Sequence, residues 1–215
     1  MNLVLWRQNV ELQQFGWNLV TIGFLGTIFF TFFESWGYYH QAIMIWKNRS
    51  GQSVSIIAFA YLATVFASLL IYGLSTGRIA AIFNGGVLAI LHLPILVGLW
   101  KFKGYSRLEK FSAVGLISVL VAMVILPYKG EFFLAICFGS LVTLVAQPLE
   151  IINNRSAGDV EPKLYVMLVI STSFWIIYAY AINDLPLMII CPISLIIFGT
   201  TLYLAIKDWS NPRPS

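Results

Sequence analysis

The sequence predicts an all-α membrane protein: seven transmembrane helices in a 3+1+3 arrangement of two parallel three-helix repeats. Three observations carry that reading. Hydrophobic residues make up 59% of the 215, and charged residues only 10%, where soluble domains carry about 25% charged. Apolar runs of about 20 residues, the length that crosses a bilayer as a self-bonded helix, recur along the chain. One phrase is also written twice, 106 residues apart: "QAIMIWKNRS" from Gln41 and "QPLEIINNRS" from Gln147.

The spans run over 18–46, 55–75, 79–100, 108–127, 131–152, 163–183 and 185–206. Each break has a local cause. "KNRSGQS", "STGR" and the basic "KFKGYSRLEK" separate the first four spans, and "PYKG", "NNRSAGDVEP" and "NDLP" combine Pro or Gly with charge between the rest. The organisation expected is an extracytoplasmic segment over 1–17, a first repeat over 18–101, a linker helix over 102–129, a second repeat over 130–206 and a cytoplasmic tail over 207–215. The N-terminus does not read as a secretory signal, because Arg7 leads into the polar "QNVELQQ" and no small-x-small site closes the next run.

Basic residues set the orientation. Lys47, Arg49, Lys101, Lys103, Arg107, Lys110, Arg155, Lys163, Lys207 and Arg213 fall on one side, against Arg7, Arg78 and Lys129 on the other, a bias of ten to three. The positive-inside rule then puts the N-terminus outside and the C-terminus in the cytoplasm. Insertion accounts for the net charge of +4, and no nucleic-acid partner is needed. Trp6 and Trp17 mark the outer interface, and Trp46, Trp100 and Trp209 the inner one, whereas Trp36 and Trp175 sit within spans. Short loops suggest a bacterial inner membrane.

The repeat reaches beyond its ten residues. Val54 pairs with Val160, and Tyr72 pairs with Tyr178, at the same offset. With one helix between two three-helix units, both units keep the same orientation. Such parallel repeats are typical of transporters whose solute sits between the halves. On these residues the chain resembles the PQ-loop family, the group that includes the SWEET sugar transporters, from about Tyr38 to Ile206. The glutamine of the family's "PQ" dipeptide is kept as Gln41 and Gln147. The proline before it is His40 in one copy and Ala146 in the other, and Pro148 stands one place late, where it can kink the fifth span.

Polar groups within spans are the candidate functional residues. Glu34 is the one acidic residue deep in a span, with Tyr38 and Gln41 on its face at i+4 and i+7. It reads either as a proton-coupling carboxyl or as structural glue. Asn84 precedes Gly85 and Gly86, and its amide suits solute hydroxyls, a carboxylate or a neighbouring helix. The resemblance implies a pocket asparagine in the third helix and a pocket tryptophan in the sixth, which here are Asn84 and Trp175. It also implies an asparagine in the seventh helix, where the chain has Cys191 and Pro192. An indole face such as that of Trp175 stacks on a sugar ring or a cation. His92 is placed to donate to a carbonyl freed by Pro94, with a proton relay as the rival reading. His40 reads as solvated.

Cys137 and Cys191 each lie alone in an apolar run and read as small core residues, so no metal and no cofactor are expected. No H-E-x-x-H, G-x-S-x-G or intramembrane aspartate pair occurs, which argues against an enzyme. The last span has no mid-membrane lysine for retinal. The resemblance implies a sugar transporter working by alternating access. A proton-coupled carrier of an amino acid or other metabolite is the alternative, and a KDEL-receptor-like sorting receptor is a third reading, disfavoured because the basic residues lie in loops. The partners expected are a small-molecule solute and the lipid bilayer, with homo-oligomer formation left open.

Overall fold

The computed structural model describes residues 9–51, 54–154 and 162–210. Among them are eight helices: α1 (Val10–Gln13), α2 (Leu19–Asn48), α3 (Ile56–Thr76), α4 (Ile79–Phe102), α5 (Arg107–Ile125), α6 (Lys129–Asn154), α7 (Pro162–Ala181) and α8 (Leu185–Ser210). Helices α2 to α8 fall on the seven expected spans. Five of them, α2, α3, α4, α5 and α8, are by themselves long and apolar enough to cross a membrane. Helix α1 is an addition to the expected plain segment over 1–17, and its single turn is far too short to cross.

Local chemistry sets the helix ends. Asn18 caps α2 by accepting from the Thr21 N–H at 3.0 Å, and Ser55 caps α3 through the Ala58 N–H at 3.3 Å. Ser106 and Glu109 form a reciprocal capping box at the start of α5. At the far end of α3, Gly77 turns the chain in the left-handed region, as does Asn183 after α7. Pro94, Pro148 and Pro192 lie inside α4, α6 and α8; a carbonyl one turn back loses its donor at each.

The packing closes a ring. Neighbouring pairs run α2 with α4, α4 with α3, α3 with α6, α6 with α8, α8 with α7, and α7 back to α2, while α5 lies outside against α3. Met123 is the one buried side chain of α5. Small residues permit the closest crossings. A side chain at Gly85 would meet the α3 backbone at Leu70 N (2.5 Å) and Phe66 O (2.7 Å), and one at Gly23 would meet Tyr178 N of α7 at 2.6 Å. The large core cluster joins α3, α6, α7 and α8 through Leu69, Phe133, Ile136, Trp175, Tyr178 and Ile190. Outward faces are apolar, with Phe29, Phe32, Trp36, Ile117 and Ile196 among the exposed side chains, as contact with lipid requires.

Candidate functional site

Within the ring lies a cavity of about 160 Å3, room for about five waters at roughly 30 Å3 each. Glu34, Asn84, Thr172, Trp175, Cys137 and Cys191 are among its lining residues. They come from five of the six ring helices, so no single span could build the site.

The polar centre is a relay across three helices. Asn84 Nδ2 on α4 donates to Glu34 Oε2 on α2 at 2.9 Å and to Thr31 Oγ1 at 2.9 Å. Thr31 passes its own proton to the Thr27 carbonyl at 2.8 Å. From α7, Ser171 Oγ donates to Glu34 Oε1 at 2.7 Å. A carboxylate only accepts, so the Asn84 amide must present its NH2 to Glu34. That leaves the Asn84 carbonyl as the group it can offer a solute. No lysine or arginine lines the cavity among the described residues.

Trp175 is 8% exposed and sets its edge against Tyr178, with centroids 5.8 Å apart. Cys137 and Cys191 are both free thiols. Cys191 and its neighbour Pro192 occupy α8, Cys191 on the cavity wall.

Other expected residues lie elsewhere. The hydrogen bonds to Glu34 come from Asn84 and Ser171, not from Tyr38 or Gln41 on its own helix. Tyr38 instead packs on the His92 ring at 4.3 Å and on Phe66 at 5.9 Å. His92 is fully buried, and its Nδ1 bonds the Leu88 carbonyl at 2.7 Å. The carbonyl one turn before Pro94 is that of Ile90, so the expected partner was wrong. The ring turns back along α4 to its own i−4 carbonyl, in a pocket of Tyr38, Phe59 and Phe66. Gly85 admits the α3 backbone, not a solute. Gln41 is half-buried, Pro148 is buried, and His40 is exposed against Trp36. The side chain of Gln147 lies outside the described residues, as do Val160 and Arg155.

A second polar cluster closes the end of the ring that carries α1, and sequence reasoning missed it. Tyr72 OH of α3 donates to Asp184 Oδ2 at 2.8 Å, and Asp184 Oδ1 accepts from the Leu187 N–H at 3.3 Å. Arg78 Nε stands 3.9 Å from Asp184 Oδ2, and its Nη2 reaches the Ile182 carbonyl at 3.5 Å. Burial pushes the Asp184 carboxyl above the usual aspartate range, against the pull of Tyr72, Leu187 and Arg78. Glu11 of α1 is fully buried beside it. Its Oε1 accepts from the Ile79 N–H at 2.8 Å and from the Tyr178 hydroxyl. The only sequence signal was the matched pair Tyr72 and Tyr178.

Residues 131–207, which span α6 to α8, match the family described as "Sugar efflux transporter for intercellular exchange". Among curated proteins, none matches the chain. Among solved structures, a eukaryotic SWEET transporter determined at 3.7 Å is similar with a TM-score of 0.74 and 16% identity, over 90% of this chain and 98% of that one. The PQ-loop resemblance carried by the two glutamine phrases is therefore borne out: the second half of the chain matches the sugar-efflux family, and the whole has the fold of a SWEET transporter.

Proposed function

We propose that this protein is a membrane transporter that moves a small polar solute, a sugar in the leading reading, by alternating access through the cavity between two repeats. The single observation that carries it is the site within the ring, where Asn84 and Trp175 line one cavity. An amide carbonyl to receive a hydroxyl and an indole face to cover an apolar ring form the pair that binding a sugar requires. The cavity is smaller than the roughly 300–1,000 Å3 of drug-sized sites, which suits a monosaccharide or an amino acid.

The 3+1+3 reading is supported by the ring order. Helices α2, α4, α3 are followed by α6, α8, α7, so each half has the same internal order and α5 is left over as the linker. Rocking of one half against the other would open the cavity to each side in turn. The positive-inside bias makes the α1 end extracytoplasmic. The cluster of Tyr72, Arg78 and Asp184 would then be the outer closure, broken and remade in each cycle. Gln41, Tyr38, Gln147 and Pro148 lie toward the cytoplasmic ends of α2 and α6, where bending would let that side open.

A second reading is favoured by one specific observation. Glu34 is an acid at a cavity with no basic residue in its wall among the described residues, so its natural counter-charge is a proton or an ammonium group on the solute. A proton-coupled carrier of an amino compound would use it directly. Uptake of labelled sugars and amino acids into proteoliposomes tests both readings. Hexose uptake lost in Asn84→Ala and Trp175→Ala supports the first, and pH-dependent amine uptake lost in Glu34→Gln supports the second. A folded protein that moves neither class refutes both.

A further inference from the structure

The two turns at the α1 end are copies of one another at the offset of the duplicated phrase. Gly77 and Asn183 both take left-handed backbone. The Arg78 N–H bonds the Gly73 carbonyl at 3.0 Å, and the Asp184 N–H bonds the Ala179 carbonyl at 2.9 Å. Arg78 and Asp184 then occupy the same place: each is the residue before the first turn of α4 or α8, and each carbonyl accepts the first helical bond, from Ile82 and Met188 respectively. Tyr72 and Tyr178 approach from the matching positions of α3 and α7.

The chemistry of the two places is opposite. Asp184 is an acceptor, so it takes the Tyr72 hydroxyl and the Leu187 N–H at the start of α8. Arg78 can only donate. It offers no side-chain cap to α4, and a tyrosine hydroxyl facing it has nothing to donate to. Glu11 fills this gap. Its carboxylate takes the Tyr178 hydroxyl and the Ile79 N–H at the start of α4, the same two kinds of donor that Asp184 takes in the other half. Its negative charge also sits where the α4 dipole favours one.

We infer that Glu11 is a gating residue: the N-terminal turn lends the first repeat the acid its own sequence lacks at position 78, and α1 must leave this seat for the outer side to open. The inference rests on the transporter reading. Its seat is not built for maximal stability, since Glu11 Oε2 and Arg78 Nε are buried without a hydrogen-bond partner among the described residues. A contact that breaks in every cycle tolerates that shortfall. The hydrogen bonds of Glu11 go to Ile79 and Tyr178, neither of which lines the cavity, so it acts through the closure and not on the solute.

The native thiols supply the test. Cys137 and Cys191 line the cavity, and a membrane-impermeant thiol reagent applied separately to each face reads which end is open. Tyr178→Phe should speed labelling from the α1 face about tenfold, the effect of losing one charge-assisted hydrogen bond, and Glu11→Ala, which loses two, by at least as much. The double variant should be no faster than Glu11→Ala alone, because that change already removes the Tyr178 contact along with the one to Ile79. Because Arg78→Asn also removes the Arg78 contacts to Asp184 and Ile182, the comparison is with Arg78→Asn alone: adding Glu11→Ala in that background should change labelling by less than about twofold, since asparagine restores an acceptor and a helix cap in the repeat's own chain. A role for Glu11 in folding alone predicts no such suppression. Should Glu11→Ala not fold, Tyr178→Phe, which removes a single hydroxyl, carries the test alone. Labelling at the wild-type rate in Tyr178→Phe, or effects that multiply in the double variant, would overturn the inference. Hexose uptake by the wild type, measured beside it, separates the two claims: no uptake removes the transporter reading and leaves the labelling result standing.

Discussion

Replacing Glu34 with glutamine separates a proton-coupled carrier from a passive one, and the geometry says how much else the change should disturb. Glu34 receives two donors, Asn84 Nδ2 and Ser171 Oγ. A glutamine can keep its carbonyl toward Asn84 and turn its NH2 toward Ser171, whose hydroxyl rotates to accept. Both contacts survive in neutral form, so the folding cost should stay below about 1 kcal/mol and the melting temperature within about 3 °C of wild type. Glu34→Ala, by contrast, strands the Asn84 N–H and leaves a hole, at a cost of about 2–4 kcal/mol. A single titrating carboxyl changes the population of one protonation state by at most tenfold per pH unit, or about 1.36 kcal/mol. Uptake into proteoliposomes measured from pH 5 to 8 should therefore slope by up to about tenfold per unit for the wild type and lie flat for Glu34→Gln. Identical curves for the two proteins would refute proton coupling through Glu34 and leave it a structural bridge between α2, α4 and α7.

Two further outcomes follow from the same geometry. Asp184 is an acid raised by burial, so the proton favours the closed outer end. That contribution is full below the ordinary aspartate value of 3.8 and is lost as pH rises through the raised value, so the spin-label distance between Ser75 and Tyr128 should lengthen across that window and stay constant in Asp184→Asn. Gly85→Ala would drive a methyl against Leu70 N and Phe66 O of α3, both backbone atoms that cannot turn aside; a loss of about 1–3 kcal/mol in thermal unfolding is expected, and an unchanged transition would show that α3 and α4 can part freely.

Much of the fold was legible because the bilayer writes it into the chain. A span must be apolar for about 20 residues, and loops such as "KNRSGQS" interrupt that plainly, so all seven long helices were read close to their true ends. Helix α1 was not legible. A four-residue turn has no periodicity, and what holds it is the tertiary bond from Glu11 to Ile79 and Tyr178. Glu34 stood out in the sequence because an acid in a span is rare, but its partners did not. Ser171 sits in the ordinary-looking "STS" of α7, 137 residues away, and only the ring brings it to α2. The repeat is legible at Tyr72 and Tyr178, which are identical residues. It is not legible at Arg78 and Asp184, because these equivalent positions carry opposite charges. His92 was assigned the wrong carbonyl because proline frees a specific acceptor, one turn behind itself, which the histidine's own position on the helix does not meet.

The central claim is that a solute passes through the cavity lined by Asn84 and Trp175. The measurement that meets it most directly is uptake of a labelled hexose into proteoliposomes holding the wild type, Asn84→Ala or Trp175→Ala, each checked for folding by its elution profile and thermal transition. The account predicts saturable uptake by the wild type, and at least about tenfold less by either variant as folded protein, the loss of one polar or stacking contact in a closed site. Wild-type uptake that persists unchanged in both folded variants would contradict it.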